Sequence, residues 1–448
     1  MPVDIRGLAL ITEGENAAQA FDGAVERYVK CKADAGNVLG AAIAADPGFA
    51  MAHCFKGYLL LQTCKVANLP AVAECIRLAR SNERMITARE RLHLEALEAW
   101  HQGEIERAIL AWETILRNYP TDLLALRVAH FVYFALGHVQ QMRDSILRTA
   151  RAWGSGVPGY GAWLGMLAFG HEECGEYDAA ERAGRHAVNF DAGDLWATHA
   201  VAHVMEMQGR TGEGIQWLCG LEPHWGDGGN FIHHLSWHRA LFHLELGQTD
   251  AVLGLYDERV RNLDAALTRA QPDLYTDIMN GASLLWRLEL AGVEVGGRWA
   301  ELARHAEMRI GDHRHLLAVV HYAIALAADG REVACARLIQ AIHAAAEADA
   351  PHSWVLRCVV ARACEAAIAH RHGRHRRVVE QLSPIRDWLW RLGGSHAQRD
   401  LVDQMLTDSA IAIGRADVVS RQIVKASLGR SRSAAERAGY RRAARLVA

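Results

Sequence analysis

Gly103-Glu-Ile-Glu-Arg-Ala-Ile-Leu-Ala-Trp112, running on to Pro120, decides the fold class. A helix-breaking glycine is followed by a large residue, Ile105, and a small one, Ala108, the pattern that opens the second helix of a helical hairpin. Gly175-Glu-Tyr-Asp-Ala-Ala-Glu-Arg182 repeats it, and Ala44-Ala-Asp-Pro47 closes an earlier second helix. Gly103, Gly137, Gly175, Gly209 and Gly247 are separated by 34, 38, 34 and 38 residues, the tetratricopeptide period with occasional insertions. Further turn glycines are expected at Gly292, Gly330, Gly373 and Gly414, at spacings of 38 to 45. The expected architecture is all-α, a tetratricopeptide-like solenoid of about ten helical hairpins. It is expected as a single helical-repeat domain over 1–448, with its clearest repeats in 90–250 and more divergent hairpins in 251–448. No alternation of β-branched residues lasts beyond a few positions, so no sheet is expected.

Composition agrees. A chain of 448 residues is long for one globular core, but a repeat array escapes that limit because each hairpin buries its face on its neighbours. Only nine prolines occur, beside abundant Ala, Leu, Arg and Glu, which favours helices. The 49 basic and 52 acidic residues nearly cancel, leaving a net charge of −3, so no global field recruits nucleic acid or a membrane surface. The nine cysteines form no C-x-x-C pair and sit mostly in apolar helical patterns, as buried thiols do in a reducing compartment. Met-Pro-Val-Asp-Ile-Arg at the N-terminus has no basic region leading into an apolar one, and no apolar run reaches membrane-spanning length. A soluble cytoplasmic protein is expected, without nucleic-acid or membrane partners.

Within the repeats, Trp196-Ala-Thr-His-Ala-Val-Ala-His-Val-Met-Glu-Met207 carries an unusual stripe. On a helix His199, His203 and Glu206 fall within roughly 60° of one another, with Trp196 beside them. Val201, Ala202, Met205, Gly214 and Leu218 take the hairpin-packing positions when Gly209 is used to align the repeat. The histidines and Glu206 then occupy positions that line the concave groove of a tetratricopeptide array. His234, Trp237 and His238 of the next repeat point to the same groove, Asp277 and Asn280 begin a later first helix, and His313 and His321 bracket another. Two imidazoles at i and i+4 with a carboxylate three residues on are spaced as metal ligands, or as an acid/base group with its orienting partner.

The chain resembles the tetratricopeptide repeat protein 38 family. The resemblance rests on His130-Phe-Val-Tyr-Phe-Ala-Leu-Gly137 with Gln141-Met-Arg-Asp-Ser145, on Trp196 to Met207, and on His234 to Leu241. It continues through Leu285-Trp-Arg-Leu-Glu289, Gly296-Gly-Arg-Trp299, Asp312-His313, His321 and Gly393-Gly-Ser-His-Ala-Gln-Arg-Asp400. It implies an all-helical tetratricopeptide-like fold and gives architecture rather than reaction.

Two chemistries suit the stripe. In one, His199, His203 and Glu206 bind a divalent metal such as zinc and leave a position for water. In the other, His203 or His238 is the acid/base, with Glu206 or Asp277 fixing its tautomer. Trp196, His234, Trp237, His313 and His321 would contact the ligand, and Arg399 could hold a carboxylate in a fork. Either chemistry describes a hydrolase- or lyase-type enzyme acting on a small polar molecule. The alternatives are a peptide-binding scaffold without catalysis and a purely internal hydrogen-bond network. A homo-oligomer is compatible with all of them. Other motifs are bland. Gly154-Ser-Gly-Val-Pro-Gly159 matches a nucleotide-binding spacing but lacks a preceding strand, and reads as a linker. Ser395 with Gln398 reads as a capping box. The basic run over 370–377 reads as an interhelical turn, and the Arg-rich tail over 430–445 as a solvated loop and polar capping helix.

Overall fold

The computed structural model describes residues 2–81, 86–347, 353–428 and 433–447. Among these residues helices follow one another with no strand, only two isolated bridges, Val3 with Ala9 and Lys32 with Gly228. The chain is all-α, built of tetratricopeptide-like helical hairpins, and among the described residues no helix is long and apolar enough to cross a membrane. All nine turn glycines identified above adopt positive φ, from 65° at Gly373 to 85° at Gly103. Each separates two helices, as Gly209 separates Leu195–Gln208 from Thr211–Leu221. A side chain at such a position would meet its own carbonyl, so glycine is what lets the chain reverse there.

The chain divides into two compact units. The first comprises Met1–Phe134, His138–Val201 and Pro223–Phe231. Here Ile105–Asn118 buries Ile105, Ala108, Ala111, Trp112, Ile115 and Leu116, the stripe expected of a second hairpin helix. The preceding helix, Ala88–Gln102, starts with Thr87 and Glu90 in a capping box, which satisfies two backbone donors that helix geometry leaves over. The Trp112 indole donates to the Tyr58 hydroxyl at 3.2 Å and meets Trp100 edge-on at 5.5 Å. Buried aromatics thus carry much of this core.

The second unit comprises Ala135–Gly137, Ala202–Glu222 and Ile232–Ala448. It contains Phe231–Glu245 from residue 232 onward, Tyr275–Leu290, Leu316–Ala328 and His396–Ala412. Gly214 presses on Phe242, where an added methyl would lie 2.4 Å from the ring. Ser395 and Gln398 form the expected capping box. The basic run places Gly373 at the turn between Ala361–Arg371 and His375–Leu382. The tail differs from expectation. Residues 430–432 lie outside the described residues, but Tyr440 is buried, its hydroxyl donates to Asp400 at 2.9 Å, and Arg437 pairs with the same carboxylate at 2.6 Å. A carboxylate forty residues upstream draws this segment into the core, which its arginine-rich composition conceals.

Candidate functional site

Two helices bring the site together in the second unit. Leu195–Gln208 supplies His203 and Glu206 one turn apart, a spacing that puts both on one face. Phe231–Glu245 supplies His234, Trp237 and His238 by the same i, i+3, i+4 rule. Ligand-capable atoms of His203, His234 and His238 lie within 4.8 Å of one another. The His203 and His238 ring centroids are 4.4 Å apart, and those of His234 and His238 are 4.8 Å apart. Trp237 closes one side, stacked on His234 at 5.1 Å and edge-on to His238 at 4.8 Å. His203 and His238 are fully buried, and His234 nearly so.

Two polar neighbours orient the rings. His238 Nδ1 lies 3.0 Å from Glu206 Oε2 and His234 Nδ1 lies 2.9 Å from Asn280 Oδ1. With Nδ1–H donating to each oxygen, the neutral tautomer carries its lone pair on Nε2. Burial pushes His234 and His238 down to about 3, and the facing His238 imidazole further disfavours protonation of His234. Burial and the facing imidazoles likewise hold His203 well below the ordinary range. All three rings are therefore neutral near pH 7, the form that ligates metals.

Glu206 also reaches a cavity of about 380 Å³ in the same unit, whose walls include Phe242, Arg287, Asp400 and Arg437. That volume lies in the range of small-molecule sites. Arg287 is buried, donates to the Ser283 hydroxyl and to the Ala397 carbonyl at 3.0 Å, and its positive charge is disfavoured by that burial.

Of the residues singled out in the sequence, the second unit assembles His203, Glu206, His234, Trp237 and His238. Glu206 sits behind His238 as its hydrogen-bond partner. Asp277 is buried on Tyr275–Leu290, one turn before Asn280. His321 is buried, with Nδ1 2.8 Å from the Leu317 carbonyl, and His313 pairs with the Gly311 carbonyl at 2.9 Å. Arg399 donates to the carbonyls of Gly393 and Gly394, so its fork holds a loop of its own chain. His199 and Trp196 fall in the first unit, where His199 packs on Phe169, Trp196 and Phe231 at 5.0–5.2 Å.

Sequence reasoning assigned no role to Arg287, Asp400 or His130, although all three stand inside motifs quoted above. It also read 370–377 only as a turn, whereas His370, His375 and Asp408 place ligand-capable atoms within 4.8 Å of one another. His370 Nε2 is 2.9 Å from Asp408 Oδ2. The signal for that pairing lay in two separate hairpins and had no local pattern.

No family model matches the chain. Among solved structures it is similar to one described as "Structure of Naa15/Naa10 bound to HypK-THB", at 13% sequence identity, covering 91% of this chain and 67% of that chain, with a TM-score of 0.26. A likeness at that level informs neither fold nor function.

Proposed function

We propose that His203, His234 and His238 form a three-imidazole site for a divalent metal such as zinc, and that the protein is a hydrolase- or lyase-type enzyme acting on a small polar molecule. The observation that carries this reading is the convergence of three neutral ring nitrogens within 4.8 Å, with Glu206 and Asn280 bonded behind two of them. Three histidine ligands with carboxylate or carbonyl partners behind them are the pattern of zinc sites that keep one position open. A metal held there supplies Lewis acidity and lowers the pKa of water toward about 7.

The remaining work falls to the chain. Glu206 fixes the tautomer of His238 and puts a negative charge on the wall of the 380 Å³ cavity. Arg287 on the same wall orients an acceptor of the substrate, and Trp237 keeps water off the back of the rings. Kinship with the tetratricopeptide repeat protein 38 family belongs to this proposal, supported by the motifs around His130, Trp196, His234 and Arg287. So does a cytoplasmic location, supported by nine cysteines that form no disulfide.

The test is a screen of small esters, amides and hydroxy acids with chelator-stripped protein, before and after zinc is restored. Turnover that requires zinc and disappears in a folded His203→Asn variant is the expected result. Turnover indifferent to both chelator and variant overturns the proposal, and capture of peptides with no zinc dependence replaces it with the scaffold reading.

A further inference from the structure

The first unit buries a second polar cluster. Arg127 and His130 lie one turn apart on Leu123–Leu136, and Trp196 opens Leu195–Gln208. The Arg127 guanidinium carbon stands 3.9 Å from the centroid of the Trp196 ring, and His130 meets the same ring edge-on at 5.5 Å. Arg127, His130 and Trp196 are 7%, 2% and 7% exposed. Arg127 reaches one polar partner, Cys31 Sγ at 3.7 Å from a terminal nitrogen. Its Nε and other terminal nitrogen, both nitrogens of His130 and the indole nitrogen of Trp196 have no hydrogen-bond partner in the protein.

Among the described residues no carboxylate comes within ion-pair distance of Arg127. Asp194 feels its field, but the Asp194 carboxylate accepts from the Ala197 backbone at 3.0 Å. A buried cation without a counter-charge is costly, and each orphaned donor adds to that cost. The Trp196 ring face recovers only part of this. A hydrophobic side chain would pack as well at far lower cost, so the cluster is arranged for something that neutralises it.

We propose that Arg127, His130 and Trp196 form a binding site for the oxyanion group, carboxylate or phosphate, of a small molecule. Arg127 provides the charge, and its Nε and one terminal nitrogen, which have no partner in the protein, provide donors. The indole N–H and one imidazole N–H add neutral donors, a combination that suits acceptor oxygens bearing one shared negative charge. Burial and the neighbouring guanidinium keep His130 uncharged, so it donates without adding a second positive charge.

The experiment follows the melting temperature of the full chain against inorganic phosphate and, separately, succinate, with chloride at matched ionic strength as control. A saturable rise with either anion, weakened at least tenfold in Arg127→Met, is expected, and the effective anion tells phosphate from carboxylate. Without anion, Arg127→Met should melt at the same temperature or higher, because an uncompensated charge has been removed. Absence of any saturable rise overturns the proposal. So does an Arg127→Met protein that melts several degrees lower without anion while responding like the wild type. If Arg127→Met does not fold, Trp196→Phe, which keeps the stacking ring and removes one donor, decides. A several-fold weaker anion response supports the site and an unchanged response sinks it.

Discussion

Glu206 shows what one residue does and how far sequence reveals it. Its helical spacing from His203 marked it as part of a polar stripe, and three to four residues of separation suffice for that. Its partner, His238, lies 32 residues away on another helix, so spacing left open whether Glu206 would bind a metal or stand behind a ligand. In the proposed site it stands behind His238, 3.0 Å from the ring nitrogen. Replacing Glu206 with Gln keeps an acceptor for His238 and removes the charge that raises its basicity, so zinc affinity should fall about 10- to 100-fold with the fold intact. Competition with a calibrated chelator measures this, and an unchanged affinity would remove Glu206 from the site. The bond between His234 and Asn280 spans 46 residues and was equally invisible. Asn280 was recognisable as polar at a helix start, but not as the group that orients a particular ring.

Elements were the most legible scale, because the turn glycines answer to a strict steric rule. Gly247 has φ of 72° and nothing within 4 Å of where a Cβ would stand, whereas Gly214 lies mid-helix with the Phe242 ring 2.4 Å from where a methyl would go. The two glycines are therefore needed for different reasons. Gly247→Ala should cost about 1–2 kcal/mol through left-handed strain alone, and Gly214→Ala about 1–3 kcal/mol through overpacking. Trimming Phe242 to Leu should relieve the second penalty and leave the first untouched, a difference that a double-mutant cycle of urea midpoints would detect. Equal coupling at both sites would contradict this division. The tail was the least legible element. Arginines signal solvent, and nothing local to Arg437 and Tyr440 indicates that Asp400 will pair with both.

At the scale of the molecule, buried histidines set the response to acid. Burial holds His315 and His321 at about 4 and His234 and His238 at about 3, against an ordinary 6.5. Each is neutral in the folded chain and takes up a proton on unfolding below 6.5. Stability therefore falls as pH drops through that window, by at most about 1.4 kcal/mol per pH unit per histidine. Asp22 and Asp194 oppose this: burial raises both to about 6, so the folded state holds their protons more tightly between the ordinary 3.8 and 6, and they stabilise as pH falls. Four histidines outweigh two aspartates, and the urea midpoint should be lower at pH 5 than at pH 7. His315→Asn, which retains a side-chain acceptor for the Ala318 amide, should narrow that gap, and a gap that does not change would contradict the assignment. The most direct test of the central claim is elemental analysis of untagged protein, purified without chelator, beside a folded His203→Asn/His238→Asn variant. Near-stoichiometric zinc, or another first-row metal, that is lost in the variant is the predicted result. Metal-free wild-type protein that takes up no zinc on titration, or equal metal in both proteins, would contradict the three-histidine site.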